Sequence, residues 1–160
     1  VRPLSMHYNG EIPAGTDGCA GPEKCVSAVL AIGTPVLWWA GVLALVAAAI
    51  MWIGARDWRF GVPVVGVLSV WLPWFSYDTR PVFYFYAIAL IPFTVMAVAM
   101  CLGRLVGDAR SGDRRMLGGI LVGAFVALVA ADFAWLYPIL SGESITYGQW
   151  RARMWFRSWI

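Results

Sequence analysis

The chain has 160 residues, 61% of them hydrophobic and 13% charged, with a mean hydropathy of +0.71. An ordinary soluble domain is about 45–50% apolar and about 25% charged, so composition excludes a water-soluble globular protein. The surplus of apolar and aromatic residues also excludes disorder. The net charge of +3 comes from eleven Arg and one Lys against nine acidic residues, and since these cations lie between long apolar runs, no nucleic-acid surface is indicated. The sequence opens Val1-Arg2-Pro3 with neither an initiator Met nor a signal peptide, and reads as an interior piece of something longer.

Residues 1–34 form a polar, turn-rich segment with Gly10, Pro13, Gly15, Gly18, Gly21 and Pro22, read as an external loop. It holds Cys19 and Cys25, with five residues between them. Zinc-site pairs are more closely spaced, and no second Cys/His pair completes four ligands. A local disulfide fits if the loop faces an oxidising compartment, closing a short ring worth roughly 2 kcal/mol in the chain-entropy model. Two unpaired thiols are the alternative. Cys101 lies in an apolar run and reads as packing.

Four apolar runs follow: Pro35–Ile53, Phe60–Phe75, Val82–Leu102 and Met116–Leu140. At about 1.5 Å per residue, the first, third and fourth cross a hydrocarbon core of about 30 Å. The second must borrow flanking residues or sit within protein. Pro81 opens the third run and Pro92 stands at its middle. Gly119 and Gly123 predict close helix packing inside the chain. The expected fold class is therefore all-α and integral to a membrane. Four transmembrane helices occupy residues 35–140, after the loop of residues 1–34 and before a Trp/Arg-rich interfacial tail of residues 141–160. Most of the ten Trp gather near span ends or in the tail, as interfacial belts do, with Trp71 a little deeper. The tail presents no clean helical face, so its conformation stays open.

Lys and Arg divide equally between the two sides of such a bundle. The short loops 54–59 and 103–115 carry them at higher density near helix ends and read as cytoplasmic. The N-terminal segment, the 76–81 loop and the C-terminus then lie outside, as the disulfide also requires.

No soluble-enzyme motif occurs, and His7 as the single histidine permits neither a triad nor a multi-histidine metal site. No catalytic residue, metal ligand or cofactor is therefore assigned. The best local constellation is Ser76-Tyr77-Asp78-Thr79-Arg80-Pro81, running into the third span. With Pro81 in a first helical turn, free N–H groups and the Arg80 guanidinium would favour a phosphate. Tyr84, four residues on, would share the face. The plainer alternative pairs Arg80 with Asp78 or with bulk headgroups. Asp132, inside the fourth apolar run, is expected to face the interior with a partner such as Arg80 or a tyrosine hydroxyl.

Three stretches together resemble the C-terminal four-helix transmembrane region of protein O-mannosyltransferases: Ala31-Ile32-Gly33-Thr34-Pro35-Val36-Leu37-Trp38-Trp39, Arg80-Pro81-Val82-Phe83-Tyr84-Phe85-Tyr86-Ala87 and Arg153-Met154-Trp155-Phe156-Arg157-Ser158-Trp159-Ile160. Arg2-Pro3 with Tyr8 and the Cys19/Cys25 loop resemble what precedes this region in actinobacterial members. The resemblance implies a plasma-membrane glycosyltransferase of the GT-C type. Such an enzyme moves mannose, with inversion, from a polyprenyl-phosphate carrier to Ser or Thr of proteins being translocated. It further implies that the catalytic Asp-Glu pair belongs to the enzyme's N-terminal half; no Asp-Glu pair occurs in these 160 residues. On this basis Arg80 and Tyr84 are the expected lipid-phosphate contacts. The expected partners are the donor, the acceptor protein, the N-terminal half and the bilayer. Competing readings are a non-enzymatic four-span scaffold or partner subunit, and a small transporter using Asp132; the absence of an internal repeat weighs against transport.

Overall fold

Leu4–Ile12 (β1) and Cys25–Ala31 (β2) pair as antiparallel strands, and Ile145–Thr146 (β3) adds to the other side of β2, giving the order β1-β2-β3. The computed structural model describes residues 4–15, 18–19, 24–76, 84–107, 112–156 and 159. Beyond the sheet these are mainly helical: α1 Pro35–Gly54, α2 Gly61–Trp71, α3 Ile91–Gly107, α4 Gly112–Ser141 and α5 Tyr147–Ala152. The chain divides into a sheet unit, residues 1–35 with 129–160, and a helical unit, residues 36–128.

The helical reading of the sequence holds, with a small sheet added in what read as a turn-rich loop. β2 explains why. Val26, Ala28 and Leu30 are buried while Ser27, Val29 and Ala31 are less so, the two-residue alternation of a half-buried strand. The buried face joins Leu136 and Ile139 of α4 with Trp150 and Met154 in the core of the sheet unit. Cys19 and Cys25 form a disulfide with Cα atoms 5.8 Å apart, buried beside Ile12.

In the helical unit Ala44 and Ala48 of α1 meet Phe60 and the α3 residues Ala97 and Val98. Small side chains at such contacts let helices approach closely where lipid supplies no hydrophobic drive. Among the described residues four segments are long and apolar enough to cross a membrane: Pro35–Ile53, Trp58–Ser76, Tyr86–Gly107 and Gly112–Ser141. The short second span does borrow flanking residues. 3₁₀ turns at Trp58–Phe60 and Leu72–Ser76 extend the 11-residue α2 at both ends. Their rise of about 2.0 Å per residue, against about 1.5 Å in an α-helix, brings the segment to roughly 30 Å. Val42, Leu43, Val46 and Ile50 on the outer face of α1 suit lipid contact.

The third span departs from expectation. Tyr84–Leu90 is 3₁₀, and the α-helix starts only at Ile91, so Pro92 opens α3 where mid-span had been expected. Proline lacks the N–H that would bond the carbonyl four residues back, and a first helical turn is where that loss is harmless.

Gly119 and Gly123 also depart from expectation, since a Cβ at either would meet nothing within 4 Å. The close approach is at Gly118, where a Cβ would lie 2.5 Å from the Leu105 carbonyl oxygen on α3. Gly118→Ala should therefore destabilise the protein by about 1–3 kcal/mol by forcing α3 and α4 apart. Gly119→Ala should be neutral, or stabilising by up to about 1 kcal/mol. Unfolding in mixed micelles titrated with dodecyl sulfate checks the pair; equal effects would contradict this packing.

Candidate functional site

In the sheet unit the tail docks on the last turns of α4. Pro138 lies inside α4, and the helix ends on Gly142 at φ +80°, with the Glu143 N–H donating to the Pro138 carbonyl at 3.0 Å. The left-handed conformation favours glycine. Close approach adds to the demand: a Cβ on Gly142 would meet Val29 at 3.0 Å, and the Ser27 hydroxyl donates to the Gly142 carbonyl at 2.8 Å. The chain then reaches α5 through a capping box. Thr146 Oγ1 accepts from the Gln149 N–H and Gln149 Oε1 accepts from the Thr146 N–H, both at 3.3 Å. The Thr-x-x-Gln spacing is the local signal that could have placed this helix start, and the reading of the tail missed it. Trp150 of α5 is buried between Tyr8 of β1, 5.9 Å centroid to centroid, and Tyr147, 5.6 Å.

Arg153 fastens this arrangement. Its Nε donates to the Trp135 carbonyl at 2.7 Å, its Nη1 donates to the Gln149 carbonyl at 2.8 Å, and its guanidinium lies 4.6 Å from the centre of the Trp135 ring. Trp135 follows Ala134, the residue whose carbonyl loses its helical partner to Pro138. A guanidinium serves two carbonyls and a ring at once; an ammonium cannot keep that geometry. Sequence reasoning placed Arg153 only in an interfacial tail. Nothing local distinguishes it from Arg151, because its partners are carbonyls on another helix.

In the helical unit Asp57 and Arg104 are a second pair that the sequence did not disclose. Arg104 Nη2 lies 3.1 Å from Asp57 Oδ2, and its guanidinium lies 5.4 Å from the centre of the Phe60 ring. Asp57 Oδ1 accepts from the Arg59 N–H at 3.2 Å, so one carboxylate caps the short turn and binds α3.

Of the sequence-predicted site residues, the structure joins Cys19 to Cys25 and buries Asp132, 6% exposed. Asp132 is on the α4 face of Leu136 and Ile139, as an interior-facing acid should be. Arg80 lies outside the described residues, as does the side chain of Tyr84. The segments on either side of residues 77–83 meet through Trp74 and Tyr86, with ring centroids 4.5 Å apart. The expected Arg80–Tyr84 face thus lies outside the described residues; from Tyr84 to Leu90 the backbone is 3₁₀. Among the described residues no three His, Cys, Asp or Glu side chains gather as a metal site would require.

Loss of the Arg153 contacts should loosen the tail while the spans remain intact. Arg153→Ala should lower protection of α5 by about 1–2 kcal/mol, as read by hydrogen exchange at Trp150–Met154. Arg153→Lys should recover less than half of that; full recovery would show that charge alone suffices.

No family model matches the chain, and no solved structure matches it. Curated proteins do. The chain is 42% identical over 143 residues to a polyprenol-phosphate-mannose–protein mannosyltransferase of Mycobacterium tuberculosis, covering 89% of this chain and 27% of that protein. To the protein of that name in Mycolicibacterium smegmatis it is 40% identical over 152 residues, 94% of the chain and 28% of the relative. To that of Corynebacterium glutamicum it is 30% identical over 159 residues, 99% and 30%. It thus spans less than a third of the length of these relatives. Over nearly its whole length, the chain is homologous to one segment of the polyprenol-phosphate-mannose–protein mannosyltransferases.

Proposed function

We propose that this chain is the C-terminal membrane part of a mannosyltransferase that moves mannose from a polyprenyl-phosphate carrier to Ser or Thr of secreted proteins. The observation that carries the reading is similarity running through almost the entire chain, 42% over 143 residues. Four membrane-capable helices support it, since a polyprenyl carrier is presented from a bilayer. The segment forms part of the wall of the carrier site and is inactive alone. The catalytic acidic pair comes from the N-terminal half of the same enzyme, which would be its direct partner.

Orientation follows from the same reading. The disulfide is at home in an oxidising compartment. Residues 1–34, the 76–81 loop and the C-terminus therefore lie on the extracytoplasmic side of the plasma membrane, where a translocating acceptor emerges.

Arg80 is the contact for the carrier phosphate, with Tyr84 nearby. A leaving phosphate gains charge in the transition state, and a fixed guanidinium stabilises it without reorganising. The Trp74–Tyr86 contact supports this assignment by tying together the segments that flank residues 77–83.

In the full-length enzyme, Arg80→Ala should lower turnover by about 10²-fold, by analogy with loss of one transition-state donor. Mannose transfer to an acceptor peptide, with donor affinity measured separately, checks it. Normal turnover with normal donor affinity would overturn the assignment.

A further inference from the structure

Arginines gather at one end of the helical unit. Arg56 follows α1, Arg59 lies in the next short turn, and Arg114 and Arg115 occupy the first turn of α4. The end is built as one surface. Arg104 of α3 is bonded to Asp57 between Arg56 and Arg59, and α4 touches the Leu105 carbonyl through Gly118, one turn beyond Arg114 and Arg115.

Charge there is unbalanced. Among the described residues Arg56, Arg59, Arg114 and Arg115 are exposed and form no ion pair, while Asp57 is already committed to Arg104. Among the described residues Asp113 is the further carboxylate nearby, in the first turn of α4, where its charge suits the helix dipole.

Depth is marked as well. Trp58, 70% exposed, stands between Arg56 and Arg59, and exposed Ile53, Leu105 and Met116 lie within a turn of the charges. Arginine and tryptophan directly above lipid-facing apolar side chains occupy the headgroup layer. Arg56 adds a separate sign. It holds φ +54°, a left-handed conformation that favours glycine, at the turn where the Asp57 N–H reaches back to the Met51 carbonyl. Glycine would fit this turn better; arginine brings a charge.

We propose that this end of the helical unit binds anionic phospholipid headgroups, with Arg56, Arg59, Arg114 and Arg115 as the phosphate contacts and Trp58 setting their depth. The partner is a bilayer lipid of net negative charge, recognised by charge complementarity at headgroup level. The proposal does not rest on the mannosyl-transfer reading.

Spin-label EPR tests it directly. The full-length protein, in phosphatidylcholine vesicles, is offered traces of spin-labelled phosphatidylglycerol or spin-labelled phosphatidylcholine. The native protein should prefer phosphatidylglycerol about threefold or more, with the preference falling as salt screens it. Combined Arg56→Gln, Arg59→Gln, Arg114→Gln and Arg115→Gln should remove at least half of that preference, whereas the same four changes to Lys should keep it. If the fourfold Gln variant does not fold, the exposed pair Arg114→Gln with Arg115→Gln should show about half the effect. Equal association of both lipids with the native protein would overturn the proposal and leave a protein partner or a second copy as the occupant. An unchanged preference in a folded Gln variant would overturn it too.

Discussion

A bilayer interior gives the peptide backbone no water to bond, so each N–H and C=O within a span must be satisfied by the protein itself. Proline withholds one N–H wherever it stands, and the placement of prolines governs how these spans are built. Pro35 opens α1, Pro63 lies in the first turn of α2 and Pro92 in the first turn of α3. A helix has four donors without internal partners at its start, so the missing N–H disrupts nothing there. Pro73 falls in the 3₁₀ turn that ends the second span. The junctions between 3₁₀ and α in the second and third spans thus lie beside prolines, and they let 11 residues of α2 serve in a segment of 19.

Pro138 is the exception, and it is where the tail is recruited. It stands inside α4 and withdraws the donor for the Ala134 carbonyl near the end of that helix. Arg153 supplies a donor to the adjacent carbonyl, of Trp135, at 2.7 Å and stacks on the same residue's ring. A helix ending in uncompensated carbonyls favours a cation at that point. The last turn of α4, the capping box of α5 and the β2 face that receives Trp150 are therefore parts of one solution. They explain why residues far apart in sequence, 1–35 and 129–160, form a single unit.

The spans were legible because lipid imposes length and composition, both readable from a run such as Pro35–Ile53. The disulfide was legible as one of two outcomes from spacing and compartment. The sheet was not. β2 carries its alternation in only seven residues, and turn-forming residues around Cys25 outweighed it. Pro92 read as mid-span yet lies in the first turn of α3, because hydropathy runs on unbroken through the 3₁₀ turns that precede the helix. Trp150 read as one more interfacial ring, yet it is 7% exposed and belongs to the core. Its environment comes from β1 and β2, which periodicity in the tail cannot show. The Asp57–Arg104 pair joins residues 47 apart and leaves no local signal at all.

Composition gains a physical meaning from these pairs. The chain has eleven Arg against one Lys, and among the described residues Arg104 and Arg153 show what a lysine could not do. Arg104 binds a carboxylate and lies over Phe60; Arg153 binds two carbonyls and lies over Trp135. Each sets its guanidinium over an aromatic ring while its N–H groups bond oxygen. At a membrane boundary this combination is particularly useful. The stem and face tolerate an apolar neighbour while the N–H groups keep their partners, and the charge persists at any physiological pH. Arg153 over Trp135 joins the two residue types that composition singles out. An aromatic ring offers a platform, and a guanidinium settles on it with its N–H groups turned to oxygen.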